Sequence, residues 1–173
     1  MALKDNFTPE EWTKVLSGPA SAGSYVLAAS PSGLTGIIAE AAAMTRELLD
    51  GAKGSSTPLL QAISESLQPE ALKEQPKPER RRFNTLDEAK SALLNEVRQA
   101  MWLGQTKTSP EDVEAYKTYV LDVAQKVAGA AKEGGFLGFG GEQVSQAERD
   151  ALEELKTTLG MNAGSSPTLP PTT

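Results

Sequence analysis

Three neighbouring carboxylate pairs, Glu10/Glu11, Glu111/Asp112 and Glu153/Glu154, come closest in this chain to an acid–base apparatus. Two carboxyl groups can share general-acid and general-base work when their surroundings push their proton affinities apart. The first two pairs, however, directly follow Thr-Pro and Ser-Pro helix starts, where attraction to the helix dipole accounts for them. The third falls on the polar face of a helix. The chain has no histidine and no cysteine. That removes the usual general base, the thiolate nucleophile and the commonest transition-metal ligands. No catalytic, cofactor-binding or metal residues are therefore assigned, and no cofactor is expected. An enzyme built on this chain would have to work with carboxylates alone.

The glycine-aromatic segment Gly134-Gly-Phe-Leu-Gly-Phe-Gly-Gly141 is the other place to look for chemistry. Backbone amides of a glycine loop ahead of a helix can cradle phosphate. Here Glu142 and Gln143 follow the last glycines, where a phosphate loop needs Lys and Ser or Thr, and no strand precedes. A calcium loop ending on Glu148 fails as well. Its first, third and fifth positions fall on Leu137, Phe139 and Gly141 instead of aspartate or asparagine. Glu148 reads instead as the capping-box partner of Ser145. What remains is a greasy loop, and Phe136, Leu137, Phe139 and Val144 are its candidate interaction residues.

The elements around these residues are helices. Thr8, Pro9 and Glu11 make a capping box with proline at the first helical position, and Phe7 with Trp12 makes a hydrophobic staple. Gly18-Pro19 predicts the end of that helix, and Ala20 to Ala29 a second, buried one. Leu34 to Leu49 follows with apolar residues at three-and-four spacing. Thr57-Pro58 repeats the cap-then-proline start. Gln68 to Phe83, with Pro69, Pro76, Pro78 and the run Arg80-Arg81-Arg82, predicts an extended, solvated linker. Beyond it, Thr85 with Glu88 opens a helix whose stripe is Leu86, Ala89, Leu93, Val97, Ala100 and Met101. Ser109-Pro110 opens the next, and Ser145 with Glu148 the last, which carries Leu152, Leu155 and Leu159. Trp12 and Trp102 read as core or interface anchors.

The composition suits this reading. Only 5% of the residues are aromatic, so Ala, Leu, Val and Ile must fill the core. A net charge of −6 disfavours unspecific contact with nucleic acid, and three arginines beside Glu79 do not reverse that. No stretch is long and apolar enough to span a membrane, and the start Met1-Ala-Leu-Lys-Asp-Asn lacks a secretory pattern. A cytoplasmic location is the expectation.

The start Phe-Thr-Pro-Glu-Glu-Trp (Phe7 to Trp12) and the segment Gly134 to Glu148 resemble an uncharacterised family of small bacterial all-helical proteins. The last helix, Val144 to Gly160, is similar in pattern to TerB-like domains, whose metal-binding acidic residues have no match here. The sequence thus predicts an all-α helical bundle of about seven helices. They fall into two groups, 1–67 and 84–160, joined by a charged, proline-containing linker at 68–83 and followed by a disordered tail at 161–173. The expected function is non-enzymatic: an interaction or accessory protein acting through apolar helix faces on a protein partner or on itself. Two rival readings stand beside it. One is a carboxylate-only enzyme or metal-dependent protein. The other is a peripheral membrane module using Leu34 to Leu49.

Overall fold

A computed structural model describes residues 3–30, 43–74, 83–133 and 144–161. The described residues are all-helical. A 3₁₀ turn at Leu3–Asn6 leads into α1 (Pro9–Ala29), then a helical stretch at 43–50 (α2), α3 (Pro58–Ser66), α4 (Pro69–Glu74), α5 (Leu86–Lys107), α6 (Pro110–Glu133) and α7 (Gln146–Thr158). The central helix is α1. Both α5 and α6 lie along it, α7 touches all three, and α3 sits against α6 and the 3₁₀ turn. One continuous core runs from Phe7 and Trp12 through Leu59 and Ile63 to Tyr116, Val123 and Leu155. The segments before and after the proline-rich stretch therefore share a single interior.

The start of α1 forms as its sequence predicts. Glu11 N–H donates to Thr8 Oγ1 and Thr8 N–H donates to Glu11 Oε2, while the Phe7 and Trp12 rings meet at 5.3 Å. Ser145 and Glu148 build the same reciprocal box on α7. At α5 only half of it forms: Thr85 Oγ1 accepts from Glu88 N–H, but the Glu88 carboxylate turns back to Asn84 N–H.

The predicted break at Gly18-Pro19 is wrong. Helix α1 runs straight through it to Ala29. Proline has no N–H to give the carbonyl four residues back, so Val15 C=O loses its helical partner. That carbonyl is buried, and a buried orphan costs about 1–3 kcal/mol. Tyr116 of α6 removes the cost by donating its hydroxyl to Val15 O at 2.6 Å. Gly18 leaves room for it. A Cβ at that position would stand 2.3 Å from Tyr116 Oη and 2.8 Å from Ala100 Cβ. Gly18, Pro19 and Tyr116 are thus one device that carries a helix through a breaker while three helices close on each other. Burial also raises the Tyr116 phenol far above its ordinary pKa, so it stays a donor.

Two further expectations need correction. The stretch predicted to be extended begins instead with the short helix α4, Pro69 taking the first helical position, where its missing N–H costs nothing; residues 75–82 lie outside the described ones. Thr57 does stand at the N-cap of α3, but its side chain caps nothing. Asp112 of α6 does that work from across the core: its Oδ1 accepts from Leu59 N–H at 2.8 Å, and Ser109 Oγ donates to its Oδ2 at 3.0 Å.

The junction of α1 with α5 carries a pH-sensitive tie. Lys107 Nζ donates to Glu11 Oε2 at 2.7 Å and to Asn6 O at 3.1 Å. The Lys107 contact, then the Thr8 N–H, hold the Glu11 carboxyl below the ordinary carboxylate range. A carboxyl whose folded pKa is depressed adds stability above its unfolded pKa and loses it as pH falls through the folded one. The melting temperature should therefore fall on acidification through that range, and Glu11→Gln should flatten part of the fall. Parallel melting curves of the two proteins from neutral to acidic pH check this. An unchanged slope in Glu11→Gln would show that the tie contributes nothing.

Candidate functional site

The structure scatters the carboxylate pairs. Glu11 is engaged with Thr8 and Lys107, and Glu10 is exposed. Asp112 is 2% exposed as the cap of α3, while its neighbour Glu111 faces water. Glu153 pairs with Lys156 at 2.6 Å on the surface of α7. Glu154 accepts from the Tyr25 hydroxyl, and burial followed by that carboxylate raises the phenol's pKa. Among the described residues, no group of three or more acidic side chains converges on a point where a metal ion would sit.

Asp112 and Glu148 are the buried carboxylates among the described residues. Those of Asp112 are fully occupied. Glu148 Oε2 accepts from Ser145 N–H at 2.7 Å, whereas its Oε1 is buried without a hydrogen-bond partner. A single unpaired oxygen inside a helix cap is too little to bind or to catalyse.

An open cleft of about 490 Å³ lies where the loop after α2 meets α6, lined by Gly51, Lys53, Leu60, Glu114, Tyr119 and Asp122 among others. Its volume suits a small ligand. Most of its polar groups are already used on one another or on the backbone. Tyr119 Oη donates to Leu48 O at 2.8 Å, Thr118 Oγ1 donates to Glu114 O, and Ser55 Oγ is shared with Thr57. Lys53 pairs with Asp50, and Glu114 with Lys117. The cleft has an apolar floor but no set of groups arranged around a substrate.

The outer face of α5 is different. Trp102 is 60% exposed in the second half of a helix whose opposite side, Leu94, Val97, Ala100, Met101 and Leu103, is buried. At three-and-four spacing around the indole stand Asn95, Gln99 and Thr106, with Arg98 and Gln105 beside them, all exposed. Trp12, by contrast, is a core residue, and its Nε1 donates to Ser66 Oγ at 3.1 Å. Tryptophan carries a large apolar area with little side-chain entropy to lose, and it dominates binding energy where it is found in interfaces. The sequence held the signal for this residue. Its helical neighbours at 95, 99 and 106 are all polar, so the ring could not point into the core.

Of the candidate loop, Phe136, Leu137 and Phe139 lie outside the described residues. Val144 is described, partly buried against the core, and its carbonyl accepts from Arg149 Nη1 at 2.5 Å. The apolar face expected to meet a membrane is visible only at its end, where Met44 and Leu48 pack against the core. Among the described residues no helix is long and apolar enough to cross a membrane. No family model, curated protein or solved structure matches the chain.

Proposed function

We propose that the chain is a non-enzymatic interaction or accessory protein, of cytoplasmic location, whose contact surface is the Trp102 face of α5. The observation that carries this reading is the exposed indole itself. A helix packed on its inner side fixes the backbone that carries the ring, so binding has only the side chain to order. The placement of the carboxylates supports a non-enzymatic role, since each pair is divided between water and separate structural contacts.

Trp102→Ala is the test. The side chain contributes little to the core, so unfolding free energy should stay within about 0.5 kcal/mol of the parent. Capture from native lysate by the two proteins, compared by mass spectrometry, should show proteins held by the parent and lost by the variant. The same set captured by both would sink the reading. A loss of stability of several kcal/mol would show instead that the indole is a packing residue.

A further inference from the structure

Helix α7 supplies its own end caps. Ser145 and Glu148 close its start, and at its finish the N–H groups of Gly160, at φ +68°, and Met161 return to Thr157 O and Lys156 O. Gln146 with Asp150, Arg149 with Gln146 and Lys156 with Glu153 add side-chain pairs at three-and-four spacing. The cap of α3, by contrast, comes from α6. What α7 takes from the rest of the protein is a bed to lie on.

That bed is formed by α1, α5 and α6, and the apolar residues that α7 buries are Ala151, Leu155 and, at its C-cap, Leu159. The polar anchor is Glu154, which is exposed and accepts from the Tyr25 hydroxyl of α1. Two cations of α5 surround this contact. Lys90 Nζ lies 5.5 Å from the centroid of the Tyr25 ring, and Arg98 acts on the same phenol. One hydroxyl donor and two cations at the edge of an apolar bed make a receptor for a carboxylate. The other end of α7 fits poorly. Glu148 is 3% exposed and its Oε1 has no hydrogen-bond partner, so docking strips that oxygen of water and replaces it with nothing.

We infer that the bed of α7 is an exchangeable docking site, which takes an acidic amphipathic helix of a partner protein in place of α7. The resident helix shows the chemistry that fits. The partner carries apolar residues at four-residue spacing, as Ala151, Leu155 and Leu159 are spaced, and a carboxylate directly before the middle one, as Glu154 stands. Exchange keeps the apolar bed covered. A partner without a carboxylate at the Glu148 position also avoids the stranded oxygen. Its competitor is tethered, and a helix on the same chain competes at an effective concentration of up to about millimolar. The intact chain therefore favours its own helix, and Trp102 takes no part in the exchange.

A fluorescent peptide of residues 144–161, added to the full-length protein, is the probe. The parent protein should bind it weakly. Glu154→Ala in the protein breaks the anchor of its own helix and leaves the bed intact. That variant should bind the peptide about tenfold more tightly, because the fraction with an open bed rises. Its amides along α7 should exchange faster than in the parent, while α1 and α6 keep their protection. A peptide carrying Glu154→Ala should lose most of the gain. The parent peptide should lose it too on a protein that combines Glu154→Ala with Tyr25→Phe. Equal binding to the parent and Glu154→Ala proteins, or binding indifferent to the peptide's own carboxylate, would overturn the inference. So would exchange along α7 that quickens only together with the whole chain.

Discussion

Gly18→Ala should be among the most damaging single-methyl additions to this protein, costing about 3 kcal/mol. The new Cβ would lie 2.3 Å from Tyr116 Oη and 2.8 Å from Ala100 Cβ, both on neighbouring helices. Overpacking of this kind costs about 1–3 kcal/mol. Moving Tyr116 aside also strips Val15 O of its donor, which adds about 1–3 kcal/mol for a buried unpaired carbonyl. Against this, alanine is a better helix residue than glycine by about 1 kcal/mol, which offsets only part of the loss. Gly23→Ala is the control on the same helix. There the obstacle is the Met44 thioether, with its Sδ at 2.9 Å, and an unbranched methionine can yield where a hydrogen-bonded phenol cannot. Chemical denaturation should therefore show a large loss for Gly18→Ala and a small change for Gly23→Ala. The double variant Gly18→Ala/Tyr116→Phe should be less damaged than the two single losses added together, because removing the hydroxyl relieves the clash. Equal effects at the two glycines would mean that the Tyr116 contact is not what fixes the crossing.

The same device marks where the sequence stops being legible. Signals complete within one turn of chain read best: the boxes Thr8/Glu11 and Ser145/Glu148, the Phe7–Trp12 staple and the Ser109 cap all form, and of Thr85/Glu88 the Thr85 half does. Gly18-Pro19 looks like a stop because the residue that rescues the helix, Tyr116, lies 101 positions from the carbonyl of Val15 that it satisfies. Thr57 looks like a cap because the real one, Asp112, comes from another helix. The stripe of α5 is right from Leu93 onward, where Leu93 packs on the core and Val97, Ala100 and Met101 are buried, and fails only at its start. Leu86 is 60% exposed, and full burial on that helix begins only at Leu94. Periodicity shows which face of a helix is apolar, but not how far along it the neighbours reach. The interaction loop chosen for its phenylalanines and the surface chosen for its exposed tryptophan are consequently different places on the chain. Of the first, Val144 alone lies among the described residues.

Asp112→Ala should cost about 2–4 kcal/mol and should release α3 before it unfolds anything else. Asp112 is 2% exposed, and its Oδ1 is the acceptor for Leu59 N–H in the first turn of α3. Alanine leaves that amide buried without an acceptor and Ser109 without its bond, and hydrogen bonds to a charged group are worth about 1.5–3 kcal/mol. No local substitute exists in the Thr57 side chain, which is paired with Ser55. Asn at this position keeps one acceptor oxygen and should cost roughly 1 kcal/mol. The far end of the helix is held separately, by Trp12 Nε1 donating to Ser66 Oγ. With the Asp112 end freed, opening should begin at Leu59 and Leu60 and spread toward Ile63, whose side chains are buried in the shared core. Hydrogen exchange reads such local opening directly. Faster exchange across α3 with α5 unchanged is the expected pattern in Asp112→Ala. Uniform acceleration over the whole chain would mean that α3 is an inseparable part of the core and that the cap holds the entire fold.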